Sequence, residues 1–123
     1  MSYVLFLDDE REPPWWLGYQ PEVCRDVAEM KGTIIVLGLP SIISFDHDLG
    51  KFPSGDMKPN GLQGMKWLIE QHLDGMYDLN TFEQVYVHSA NPAGVENLVS
   101  LWDSFAASVL QSEVKAKRRQ ADG

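Results

Sequence analysis

Thr33-Ile34-Ile35-Val36-Leu37-Gly38-Leu39-Pro40-Ser41-Ile42-Ile43-Ser44-Phe45 is the stretch whose reading decides the fold. By composition, residues 33–37 read as a strand, because β-branched side chains suit a pleated backbone. By spacing they end a helix. Met30, Ile34 and Leu37 recur at helical intervals, Asp26 stands as an N-cap before Val27, and Gly38 or Pro40 stops the helix ahead of Ile42. The choice fixes the sheet. Strands at 33–37 and 42–45 would be joined by four residues, enough for a hairpin but too few for a parallel crossover. With 27–37 helical, 42–45 becomes a parallel strand, and this is the reading adopted.

Working outward, two further apolar runs behave like 42–45. Val4-Leu5-Phe6-Leu7 leads into Asp8-Asp9-Glu10-Arg11, and Val85-Tyr86-Val87 into His88-Ser89-Ala90-Asn91, as Phe45 leads into Asp46-His47-Asp48. In an open parallel sheet ligands bind beyond the carboxyl ends of the strands, so these polar runs should converge in one crevice. Glu22 to Arg25 is long enough for a short strand only. Pro13 and Pro14 preclude a long helix after the first strand. Gly50, Pro53, Gly55 and Pro59 mark 49–60 as a long mobile loop over the crevice. A helix from Gly61 should place Leu62, Met65, Leu68, Ile69, Leu73 and Met76 on its core face. Asn91 and Pro92 start a long final helix with Val95, Leu98, Val99, Trp102, Phe105 and Val109 facing the sheet.

The 123 residues suffice for one domain, 1–123, with a single core. No apolar run approaches a membrane span, no secretory signal is visible, and the lone Cys24 excludes an internal disulfide; together these predict a cytoplasmic protein with no membrane association. Charge is split. Residues 1–114 carry six Lys or Arg against seventeen Asp or Glu, net −11, whereas 115–123 carry four against one, net +3. The acidic body should repel a polyanion except where a metal or an arginine intervenes. Lys115, Lys117, Arg118 and Arg119 are read as a frayed, solvated helix end, able at most to touch a nucleic acid backbone weakly.

The strand-end clusters carry the chemistry. Asp8, Asp9 and Asp46 would repel one another unless a cation lay between them, and hard oxygen ligands of this kind suit Mg²⁺ or Mn²⁺ better than Zn²⁺. His47 and His88, with Asp48 beside the first, can serve as general base and acid. Ser89 and Asn91 stand before a helix N-terminus, where amide groups favour an anion, and Gly94 leaves room for a ligand to approach. Arg11 can hold a phosphate oxygen bidentately.

Three motifs in order, Leu5-Phe6-Leu7-Asp8-Asp9-Glu10-Arg11 with Pro13, Ile43-Ser44-Phe45-Asp46-His47-Asp48-Leu49-Gly50, and Val87-His88-Ser89-Ala90-Asn91-Pro92-Ala93-Gly94 with Asn97, carry a resemblance. Over about residues 3 to 110 the chain resembles the cyclic-phosphate-processing receiver-like family, a divergent branch of the receiver fold in bacteria and phages. The resemblance implies a three-layer α/β, flavodoxin-like sandwich with a divalent metal held by Asp8, Asp9 and Asp46, and Ser89 in the place of the receiver's strand-four hydroxyl. It also implies a role in processing cyclic phosphates, in RNA repair or nucleotide-based conflict. Ordinary receivers place a lysine at the end of a fifth strand. None is visible here, which predicts a four-stranded sheet of order 2-1-3-4 and makes phosphorylation of Asp46 less favoured than hydrolysis.

The expectation is therefore a metal-dependent phosphoesterase acting on a cyclic-phosphate small molecule or an RNA 2′,3′-cyclic end. Its rival is a receiver-like module that binds phosphate or accepts it on Asp46 without turnover. A third reading makes Trp15-Trp16 a protein contact. Oligomeric state is not legible.

Overall fold

The computed structural model describes residues 2–119. Strands β1 (Val4–Leu7), β2 (Glu22–Cys24), β3 (Ile42–Phe45), β4 (Gln84–His88) and β5 (Ala116–Arg119) alternate with helices α1 (Val27–Leu37), α2 (Gly61–Leu73) and α3 (Pro92–Ser108). A 3-10 turn, Trp15–Leu17, lies between β1 and β2, and another, Leu79–Thr81, precedes β4. Among the described residues no helix is long and apolar enough to cross a membrane.

The deciding stretch folds as its spacing demands. The Asp26 side chain accepts from the Glu29 amide at 2.8 Å, capping α1. Gly38 closes the helix with φ +84°, a value natural to glycine, and its amide donates to the Ile34 carbonyl at 2.8 Å. Met30 and Ile34 are buried, while the strand-like Ile35, Val36 and Leu37 face outward. Every strand pairing is parallel and the order is β2-β1-β3-β4-β5.

The fifth strand corrects the four-stranded expectation and the frayed tail. Side chains of α3 take hold of the returning chain. Trp102 Nε1 donates to the Val114 carbonyl at 2.9 Å, Asp103 Oδ1 accepts from the Ala116 amide at 3.0 Å, and Arg118 pairs with Glu96. Ala116 then lies opposite Val85, and Arg119 opposite His88. A basic, polar segment is tolerated because it is an edge strand, where one side of the ladder and one face meet water. Residues 120–123 of the basic run lie outside the described residues.

Parallel crossovers are right-handed, so a sheet that grows β1, β3, β4, β5 in one direction receives α1, α2 and α3 on the same face. The core confirms this. Leu5 and Leu7, Ile43 and Phe45, Val85 and Val87 form one buried cluster with Met30 and Ile34 of α1, Met65 and Leu68 of α2, and Leu98 and Trp102 of α3. The opposite face, carrying Phe6, Ser44 and Tyr86 in register, has, among the described residues, a third layer of only the Trp15–Leu17 turn and its flanks. Gly18 ends that turn, and a Cβ there would stand 2.8 Å from Val4 Cγ2.

Three local expectations change, the first at Val109, expected to face the sheet but lying exposed just past the end of α3. The 49–60 loop is a small hairpin, with Lys51 bridged to Met57 and the Phe52 amide donating to Asp56 at 2.8 Å. Leu73 and Met76, expected in the core, are exposed because α2 ends at Leu73 and Gly75 turns the chain away.

Candidate functional site

Strand side chains alternate between faces, and all the even-numbered positions of β1, β3 and β4 fall on the side away from the helices. Continued past the strand ends, that parity brings Asp8, Asp46 and His88 together. Each offers a ligand atom, and the three atoms lie within 4.8 Å of one another. All three residues are buried, at 0%, 4% and 5% exposure.

The cluster is fully hydrogen-bonded. Asp8 Oδ1 accepts from the amides of Glu10 at 3.0 Å and Arg11 at 2.8 Å, which turns the chain sharply off the end of β1. Asp8 Oδ2 lies 3.0 Å from His88 Nε2, and His88 Nδ1 lies 2.6 Å from Ser44 Oγ. A carboxylate only accepts, so Nε2 carries the proton, and in the neutral ring Nδ1 accepts a hydrogen bond donated by the Ser44 hydroxyl. Phe6 stacks on the imidazole, 4.6 Å between centroids. Burial alone would raise the Asp8 carboxyl, but His88 and the two backbone amides override it and hold the group well below the usual carboxylate range. Asp46 goes the other way. Burial and the Asp8 charge raise it, against the opposing pull of His88, the Ser89 hydroxyl and the His47 amide. Arg11 Nη1 stands near both, 3.4 Å from Asp8 Oδ2 and 3.9 Å from Asp46 Oδ2.

His47 packs against the first turn of α3, where a Cβ on Gly94 would come within 2.4 Å of its ring. The space that Gly94 leaves is therefore taken by His47, not by a ligand. Gly61 is held as closely: its amide donates to the His47 carbonyl at 2.7 Å, and a Cβ there would lie 1.8 Å from the Asp46 carbonyl oxygen. His47 Nδ1 bonds Asp48 Oδ1 at 2.7 Å, and Asp48 Oδ2 accepts from Asn91 Nδ2 at 3.3 Å. Asn91 also caps α3 by accepting from the Gly94 amide at 3.1 Å. One side chain thus ties the helix start to the site.

A cavity of about 460 Å³ opens over the carboxyl ends of β1, β3 and β4. Its wall takes Asp9, Glu10 and Arg11 from the first loop, Asp46 and Asp48 from the second, and Ser89, Ala90 and Asn91 from the third, with Gly50, Lys51 and Met57 of the hairpin closing one side. Six of the nine residues expected at the site line the cavity, Asp9, Arg11, Asp46, Asp48, Ser89 and Asn91, and Asp8 and His88 cluster with Asp46. The histidines do not line it. Each ring bonds a carboxylate, His88 to Asp8 and His47 to Asp48. The sequence reading also passed over Ser44, Gly61 and Lys51. Period-two alternation from Asp46 points to Ser44; no local signal marks the other two.

A larger hollow, about 550 Å³, lies between α3 and the approach to β5. Its Asp103 carboxylate is occupied by the Ala116 amide.

The acidic donor set suits a hard divalent ion. Two carboxylates converge, one is held ionised, and the other is raised by a like charge that a cation would offset. Among the described residues no buried side-chain nitrogen or oxygen lacks a partner, so the cluster is complete as it stands, with Arg11 supplying the positive charge.

A family model described as the cyclic-phosphate processing receiver domain matches residues 3–104. Comparison with curated proteins and with solved structures gave no match.

Proposed function

The chain belongs to the cyclic-phosphate processing receiver domain family, and from that premise we propose that it is a metal-dependent phosphoesterase that opens a cyclic phosphodiester, with an RNA 2′,3′-cyclic phosphate end favoured over a free cyclic nucleotide. One observation carries this reading: a single cavity wall presents the carboxylates of Asp9, Asp46 and Asp48 together with the Arg11 guanidinium. A mere anion site would not gather three carboxylates around its one arginine. Asp8 and Asp46, with Asp9 on the wall, would hold Mg²⁺ or Mn²⁺, and that ion, when bound, supplies Lewis-acid polarisation of a phosphoryl oxygen.

The remaining work falls to the chain's own groups. Arg11 and the Ser89 hydroxyl orient the phosphate. Asp48, exposed to the cavity and backed by His47 Nδ1, aligns a water and takes its proton, returning it to the departing ribose oxygen. Asn91 fixes the Asp48 carboxylate from its other oxygen. His88 is a positioning residue: with Ser44 behind it, it holds Asp8 ionised and in place.

The test is release of a phosphomonoester from a panel of cyclic phosphates by purified protein with Mg²⁺ or Mn²⁺. Asp48→Asn should lower kcat by roughly a hundredfold or more while leaving metal binding intact. No release from any member, with metal binding confirmed by calorimetry, would sink the proposal. A second reading draws on the Ser89 bond to Asp46, which suits a phosphoacceptor. Intact mass after treatment with a small phosphodonor decides it: a stable phosphoryl adduct lost in Asp46→Asn favours the regulatory module.

A further inference from the structure

We propose that the helix-free side of the sheet, beside the cavity, is a stacking platform for a single-stranded nucleic acid whose cyclic end occupies the cavity. This deepens the reading given above and rests on it. Three side chains build the platform. The Arg119 guanidinium lies 5.1 Å from the Trp16 ring centroid and 5.0 Å from that of Tyr86, and the two rings meet edge to face at 5.4 Å. A guanidinium fixed over two aromatic rings is a planar cation already held for stacking, which suits a nucleobase better than a point charge does.

Position supports this occupant. Arg119 lies opposite His88 in the β4–β5 ladder, and Ser89, the residue that follows β4, is on the cavity wall. On the other flank the chain leaves the cavity at Arg11 and reaches Trp16 within the same short excursion. A strand entering the cavity end-first therefore has the platform next to it. Among the described residues no α-helix covers this face, and Trp15, on the same turn, is 92% exposed.

Charge points the same way. Four of the ten Lys and Arg residues fall between 115 and 119, in a chain otherwise strongly acidic. Arg118 is engaged by Glu96, whereas Lys117 and Arg119 share the face of Tyr86 and His88. Cations interleaved with aromatic rings fit single-stranded nucleic acid, whose backbone is anionic and whose every base has a stackable face. An acidic peptide would use the charge and leave the rings idle. The platform strand lies outside residues 3–104 matched by the family model.

The experiment separates platform from chemistry by using a short single-stranded RNA ending in a 3′-hydroxyl, which cannot be hydrolysed as a cyclic ester. Fluorescence anisotropy at low salt should show saturable binding that weakens as salt rises. Trp16→Ala and Arg119→Lys should each weaken it about tenfold, with Trp16→Phe retaining most of the affinity. Polyglutamate should bind negligibly. In turnover, Trp16→Ala should leave a nucleoside 2′,3′-cyclic monophosphate unaffected and lower kcat/KM for an oligonucleotide cyclic end about tenfold. Absence of RNA binding, equal binding by all variants, or equal binding of polyglutamate overturns the platform. If no cyclic phosphate is turned over, the functional reading fails, and the binding series still decides the platform.

Discussion

At Asp8 both carboxylate oxygens are satisfied, one by the Glu10 and Arg11 amides and the other by His88, whereas Asp46 sits beside that charge in a buried place. Their pKa values move apart, and stability should follow. Asp46 keeps its proton more tightly folded than unfolded, so the stability it contributes is full below its ordinary value of about 3.8 and is lost as pH rises through the elevated folded value. Asp8 does the reverse: its contribution is present above the ordinary value and lost as pH falls toward its depressed folded one. Asp46→Asn should therefore stabilise the metal-free protein at neutral pH by about 1 kcal/mol, a few degrees in Tm, while abolishing turnover. Thermal melts in chelator should show this gain vanishing below about pH 4. A gain that persists there would mean that packing, not charge, separates the two side chains.

At the scale of elements, the segment Asp46-His47-Asp48 is clamped between two helix starts, and the clamp works only with glycine. Gly94→Ala should drive the His47 ring from its seat, misplace Asp48 and lower kcat at least tenfold, with a stability cost of about 1 to 3 kcal/mol by urea unfolding. Gly61→Ala meets backbone rather than a movable side chain and should cost more. These roles show where the sequence was legible. The α1 reading followed from periodicity and an N-cap, both local, and the carboxyl-end placement of Asp8, Asp46 and Asn91 followed from strand boundaries. Which strand-end residues join the buried cluster depends on pleat parity. Parity sets Asp8, Asp46 and His88 apart from Asp9, His47 and Ser89, and it was available in the spacing of two. The contacts of Gly61 with Asp46, and of Gly94 with His47, span tens of residues and leave no mark in a short window.

Taken whole, the molecule has a thick side and a thin one, and its last strand is the least apolar. The return of β5 depends on tertiary anchors, Trp102 to Val114 and Asp103 to Ala116, which is why its composition resembles a tail. Ending the chain after Lys115 should expose the β4 edge, lower Tm by several degrees and promote association at high concentration, read by light scattering. Unchanged Tm and a monomeric profile would show that β5 adds nothing to the sheet. The strand order also bears on synthesis. After β2 each new strand joins the same growing edge, so the chain can assemble in the order in which it leaves the ribosome. The acidic pocket is complete in sequence once His88 has emerged, whereas Arg119 comes only with β5. A nascent chain can thus assemble the carboxylates proposed to hold a metal before the side chains proposed to hold a polynucleotide.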